Sequence, residues 1–157
     1  MVAVLLVTGG ASLGITPPAA ASKAGPIDHR LVASQKRLPK DVYRNVGRAA
    51  MTKTAYRRLW DRFRLTGDRP HVNLDRRIVL FVGTGESGSC PLRFESLRFN
   101  DERKTFKLRA PARGGPVCTD DFTPRTFVIA VDRSDLPKGD LRARVNNYKR
   151  FELRRAR

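Results

Sequence analysis

Between residues 52 and 70 the apolar positions recur at helical spacing. Tyr56, Leu59, Trp60 and Phe63 form one stripe, and Arg57, Arg58, Asp61, Arg62 and Arg64 occupy the other face. This is the pattern of a lone helix that packs one side onto a sheet. Thr52 or Thr54 supplies the N-cap oxygen, and Gly67 and Pro70 end the helix. Beyond it the period becomes strand-like. Ile78 to Val82 is a short, β-branched apolar run, as expected of a strand buried on both faces. Leu92 and Phe94 alternate with Arg93 and Glu95, but Leu97 and Phe99 fall on the opposite parity. A bulge near Glu95-Ser96 repairs that slip. Asn100-Asp101-Glu102 then turns into Phe106, Leu108 and Ala110, completing a hairpin. Phe127 to Val131 is a second buried strand, with Pro124 placed before it rather than inside it. Leu141, Ala143 and Val145 alternate with arginines, and Asn146-Asn147 turns toward Tyr148 to Leu153. Asp41 to Val46 is a further candidate strand. The sum is a mostly β, α+β chain with one amphipathic helix, built as a compact antiparallel sheet or sandwich.

Length adds that these elements belong to one domain, since 157 residues suit a single core. Residues 41–157 are assigned to it, with a basic C-terminal segment, and residues 23–40 to a flexible basic arm holding Gly25-Pro26 and Pro39. No Asp, Glu, Lys or Arg precedes Lys23. Val2 to Val7 is an apolar stretch, and Ala19-Ala20-Ala21-Ser22 resembles a cleavage region, so residues 1–22 read as a secretory signal peptide. The alternative is an Ala/Gly/Pro-rich tail. Export to the envelope or exterior fits the cysteines. Cys90 and Cys118, the only two, read as one disulfide in an exported chain. No apolar run approaches the ~18 residues of a membrane-spanning helix.

Several motifs invite chemistry that their context refuses. Gly83-Thr84-Gly85-Glu86-Ser87-Gly88 has the dinucleotide-loop spacing, but Cys90-Pro91 and a strand pattern follow where the phosphate-holding helix must begin. Glu86-Ser87-Gly88-Ser89 resembles the surroundings of a serine nucleophile, yet His29 and His71 lie in the arm and just after the helix, and neither forms a triad pattern. Asp120-Asp121 lacks the further oxygen ligands of a calcium loop and reads as a turn paired with Arg113 or Arg125. The chain is therefore expected to have no catalytic residue, metal or cofactor.

Charge is the remaining signal. Lys and Arg total 32 against 15 Asp and Glu, a formal net charge of +17. Such a surface attracts polyanions. The density is highest around Arg142, Arg144, Lys149, Arg150, Arg154 and Arg155, the candidate contacts for an anionic polymer. Specific nucleic-acid recognition is not expected, because only Tyr148 and Phe151 are interleaved there and no recognised nucleic-acid motif is present.

The order of motifs carries a resemblance. Tyr56-Arg-Arg-Leu-Trp60 lies on the helix, followed by Pro70-His-Val-Asn-Leu-Asp75, Arg77-Ile-Val-Leu-Phe-Val-Gly83, a Gly-rich turn ending at Gly88, Pro124-Arg-Thr-Phe-Val-Ile-Ala-Val131 and Leu136-Pro137. Over residues 42 to 137 this resembles the C-terminal domain of PrcB-like proteins, small β-rich domains of secreted or surface proteins. That family is named for a subunit supporting an exported protease complex. The family's turn usually leads into an aromatic on the next strand, whereas Ser89-Cys90-Pro91 follows here, and the cysteine pair looks like a subgroup feature. The resemblance implies a non-enzymatic accessory domain with a protein partner, such as an exported protease. The Gly83–Ser89 turn and the Cys118–Arg125 segment, joined by the bridge, are the expected partner surface: Gly85, Glu86, Ser87, Gly88, Asp120, Asp121 and Arg125. The alternative is a binder of polyanions or envelope polymers acting through its arginines.

Overall fold

The computed structural model describes residues 25–134 and 136–156; the expected signal peptide at 1–22 lies outside them. In chain order the elements are β1 (Gly25–Pro26), β2 (His29–Gln35), β3 (Val46–Ala50), α1 (Lys53–Arg62), β4 (Arg77–Glu86), β5 (Ser96–Asn100), β6 (Thr105–Arg109), β7 (Thr123–Asp132), β8 (Leu141–Val145) and β9 (Phe151–Ala156). The strands form one curled sheet in the order β1-β5-β6-β8-β9-β3-β4-β7-β2. Most pairings are antiparallel; β6 with β8 and β3 with β9 are parallel.

Curling gives the sheet a shared interior. Ile78, Leu80 and Val82 of β4 and Phe127, Ile129 and Val131 of β7 meet Leu97, Phe99, Phe106, Leu108, Ala143 and Val145 of the opposite half. The alternate residues of β4 and β7 (Val79, Phe81, Val128, Ala130) point the other way, onto Tyr56, Leu59, Trp60 and Phe63. Both strands are thus covered on both faces, as their uninterrupted apolar runs required. Thr52 caps α1, its side chain accepting the Ala55 N–H at 3.1 Å. The helix ends earlier than Gly67. Phe63 closes the last turn and Arg64 takes a left-handed conformation with φ 59°.

The expected mobile arm is instead the seam of the sheet. From Gly25 onward, β1 pairs with β5 at one end of the strand order and β2 pairs with β7 at the other. Ile27, between them, is buried in the interior, and Asp28 holds Arg77 at 2.9 Å. Leu38 is buried beneath the helix-side core. Sparse apolar residues sufficed because the backbone itself completes both edges. The strand expected over 41–46 starts at Val46, since Asp41–Asn45 form turns and loop. Pro124 lies inside β7, opposite Gly85, in a stretch that β2 does not cover. The parity slip before β5 is real. Leu92 bridges Ala112 while Ser96 pairs with Arg109, so four steps on one side face three on the other. Asn146 (φ 47°) extends the β6–β8 ladder, its side chain bonding both the N–H and C=O of Ala110.

Candidate functional site

The end of β4 and the loop before β7 do meet, and the Cys90–Cys118 disulfide fastens them with Cα atoms 5.5 Å apart. Cys90 is buried, whereas every residue from Ala112 to Phe122 is exposed, so the bridge pins an open loop to the sheet. Beside it Asp121 works as a clasp. Its carboxylate accepts the Gly88 N–H at 2.9 Å, the Thr119 hydroxyl, and the Thr123 hydroxyl at 3.2 Å. These bonds, the Thr119 hydroxyl foremost, hold the Asp121 carboxyl below the usual carboxylate range. Ser87, Ser89 and Thr119 bond one another at 3.0–3.3 Å. Ser87 thus has hydroxyls for partners, with no histidine base.

Two of the expected partner residues are mostly buried. The Glu86 side chain is 0% exposed and that of Arg125 11% exposed. The guanidinium grips the carboxylate with two bonds, Nη2 to Oε1 at 2.6 Å and Nε to Oε2 at 2.8 Å. Glu86 also accepts the Leu92 N–H at 2.7 Å. A buried, bidentate pair that anchors the next segment is architecture. It also takes Arg125 from the Asp120-Asp121 pair, with which it was expected to associate. Gly85 is covered by Phe122, and a Cβ there would run into the ring. A Cβ at Gly88 would stand 2.6 Å from Asp121 Oδ2. Both glycines allow close approach. Of the seven residues, Gly88, Asp120 and Asp121 are exposed and Ser87 is half-buried beside them.

What surrounds them was not legible as a site. Two open clefts of about 420 and 570 Å³ adjoin here, and Phe122 borders both. The first has Thr84 and Asn45 at its base, bonded at 2.7 Å, and Tyr148 and Arg44 on its walls. The second lies between Tyr43 and basic residues including Lys36, Lys40 and Arg64. Tyr43 is 80%, Phe122 51% and Tyr148 53% exposed. The available signal was that these aromatics stand outside any apolar period.

The arginine-rich end does not form one tail surface. Arg142 and Arg144 lie on β8, and Arg154 on β9, while Arg155 has the opposite parity and borders a small apolar cavity lined by Met51 and Leu136. Lys149 and Arg150 are exposed in the turn between the strands. Because β8 and β9 join the two halves of the sheet, this segment is part of the fold rather than an appendage. Among the described residues no group of three or more His, Cys, Asp or Glu side chains is placed to hold a metal ion, and no helix is long and apolar enough to cross a membrane. Comparisons with family models, curated proteins and solved structures return no match to this chain.

Proposed function

We propose that this chain is an exported, non-enzymatic accessory domain that engages a protein partner through the end of the sheet carrying Tyr43, Phe122 and Tyr148. The observation that carries the reading is this group of exposed aromatics around two adjoining clefts, with Phe122 between the clefts on a loop pinned by a disulfide and by the Asp121 clasp. Exposed aromatics on a rigid frame suit protein contacts, because they offer large area at little entropic cost. The disulfide is compatible with an oxidising compartment. The resemblance to PrcB-like domains suggests an exported protease or its complex as the partner. The hydroxyl cluster has no histidine beside it, and its carboxylate, Asp121, is engaged by the Gly88 N–H and the Thr119 and Thr123 hydroxyls, so it lends no support to hydrolysis.

The test places a photo-crosslinking residue at position 122, and separately at Leu31 on β2 as a control. The oxidised full-length chain is exposed to the producing cell's exported fraction at high salt. The reading expects an adduct to one protein from position 122 only, lost in Tyr43→Ala/Tyr148→Ala with unchanged melting temperature. Identical adducts from both positions, or none surviving salt, would overturn it.

A further inference from the structure

The helix covers only part of one sheet face. At ten residues, α1 is about 15 Å long and packs over β3, β4 and β7. Among the described residues no further helix covers the same face across β9, β8, β6 and β5, where Arg98, Arg142, Glu152 and Arg154 are exposed and Lys107 and Arg144 half-buried. Register fixes what it presents. Arg98 of β5 stands opposite Lys107 of β6, which stands opposite Arg144 of β8. One step along, Arg142 stands opposite Glu152 of β9, and Arg154 is opposite Arg48 of β3. The inward neighbours of these residues, among them Leu97, Phe106, Ala143 and Leu153, are core. The cations therefore share the outer face, spaced about 4.8 Å between strands and ~6.7 Å along them.

Like charges directly opposite one another destabilise a sheet, whereas opposite charges stabilise it by roughly 0.2–1 kcal/mol per pair. A bare face needs only to be polar, and mixed signs would make it so at no cost. On this face Glu152 is bonded to Arg154 at 3.2 Å and Glu95 to Arg109 of β6 at 2.7 Å, so acids are fewer than cations. Arg144 Nε is buried without a hydrogen-bond partner. Burial, with Arg62 and Arg154 close by, also lowers the Arg48 pKa from its usual value. No aromatic side chain is interleaved with the register-aligned cations, so bases would find no stacking platform.

We propose that the uncovered face of β5, β6, β8 and β9 is a docking surface for a linear anionic polymer without aromatic bases, its phosphate or carboxylate groups lying along the row of Arg98, Lys107 and Arg144 and over the neighbouring Arg142 and Arg154. This is independent of the aromatic end, and each can fail without the other. It also differs from a terminal tail, since it requires β5, β6 and the curvature that aligns them.

Binding of the oxidised full-length chain is measured by titration with inorganic polyphosphate, with polygalacturonate, and with a single-stranded DNA of matched charge, over a salt series. Lys107→Glu/Arg144→Glu should bind at least tenfold more weakly, with a log–log salt slope shallower by about two. Arg57→Glu/Arg76→Glu removes the same charge at exposed sites away from the face and should change affinity less than twofold. Lys107→Gln/Arg144→Gln gives the same comparison should the glutamate variant fold poorly. The better of the phosphate and carboxylate polymers assigns the anion. Equal losses from both double variants would reduce the effect to net charge and overturn the proposal. So would absence of binding, or tighter binding of DNA that depends on its bases.

Discussion

Removing the guanidinium from the Glu86–Arg125 pair should be among the most damaging single changes in the molecule. Arg125→Met leaves a carboxylate with no exposed side-chain area and one remaining bond, from the Leu92 N–H. Stranding a buried charge in this way costs about 3–5 kcal/mol. At a chain length near 150 residues that corresponds to a fall in melting temperature of roughly 10 °C. Glu86→Met is expected to cost less, about 2–3 kcal/mol, because Arg125 keeps some solvent access and lies 3.4 Å from Ser34 Oγ. The double variant removes both charges and strands only the Leu92 N–H, for about 1–3 kcal/mol. The two single losses should therefore exceed the double loss by at least about 2 kcal/mol, and by about 4–5 kcal/mol at the middle of these ranges, at or above the upper range for contacting residues. Urea melts of the four proteins, with the disulfide intact, measure each corner of this cycle. Additive losses, or Arg125→Met costing under ~1 kcal/mol, would refute the view that the pair is a buried structural anchor.

Replacing Cys90 and Cys118 with alanine should cost about 3.5 kcal/mol by chain entropy for a separation of 28 residues. Limited proteolysis should then cut first between Ala112 and Phe122, where the backbone is already exposed. Asp121, whose folded pKa is depressed, contributes stability above its unfolded value near 3.8, and that contribution is lost as pH falls through the lower folded value. Below about pH 4 the Gly88 amide should therefore lose hydrogen-exchange protection, with no such acid step in Asp121→Asn. Gly47→Ala places a Cβ 2.7 Å from the Glu152 carbonyl oxygen and should cost about 2 kcal/mol or more in denaturant melts. The three atoms nearest a Cβ at Gly85 all belong to the half-exposed Phe122 ring, which can swing out in Gly85→Ala. That substitution should cost under ~1 kcal/mol yet remove the wall between the two clefts.

Elements whose period was long and whose burial was complete were readable from the chain. The stripe Tyr56–Phe63, the run Ile78–Val82 and the run Phe127–Val131 each repeat one spacing, and each became core. The slip between Phe94 and Leu97 was equally legible, because a change of parity has one local remedy. The segment 25–38 was not. It contributes to the fold through backbone pairing at both edges of the sheet, and only Ile27 and Leu38 mark that in side chains. The same limit applies at the site. Charge and loop position suggested that Glu86 and Arg125 were surface, but they grip each other across 39 positions of sequence, and Glu86 also takes the Leu92 N–H. Arg154 and Arg155 look alike in the chain, and only strand parity puts them on opposite faces.

The cationic face makes a demand on the free protein that can be checked without any ligand. Exposed ion pairs such as Arg62–Asp41 and Arg109–Glu95 contribute about 0–1 kcal/mol each and weaken as salt screens them. Repulsion weakens too, and at a net charge of +17, with Lys107 opposite Arg144 and Arg48 opposite Arg154, repulsive pairs outweigh attractive ones. Raising sodium chloride from about 20 to 200 mM shortens the screening length from roughly 20 Å to 7 Å, still longer than the ~4.8 Å between strands. Long-range repulsion should therefore fade first, and the melting temperature should rise over this interval. Lys107→Gln/Arg144→Gln, with two facing charges neutralised, should start higher at low salt and rise less. A melting temperature that falls with salt would mean that attraction dominates the surface. The aligned cations would then be offset within the chain, leaving no unbalanced charge for an anionic polymer to neutralise.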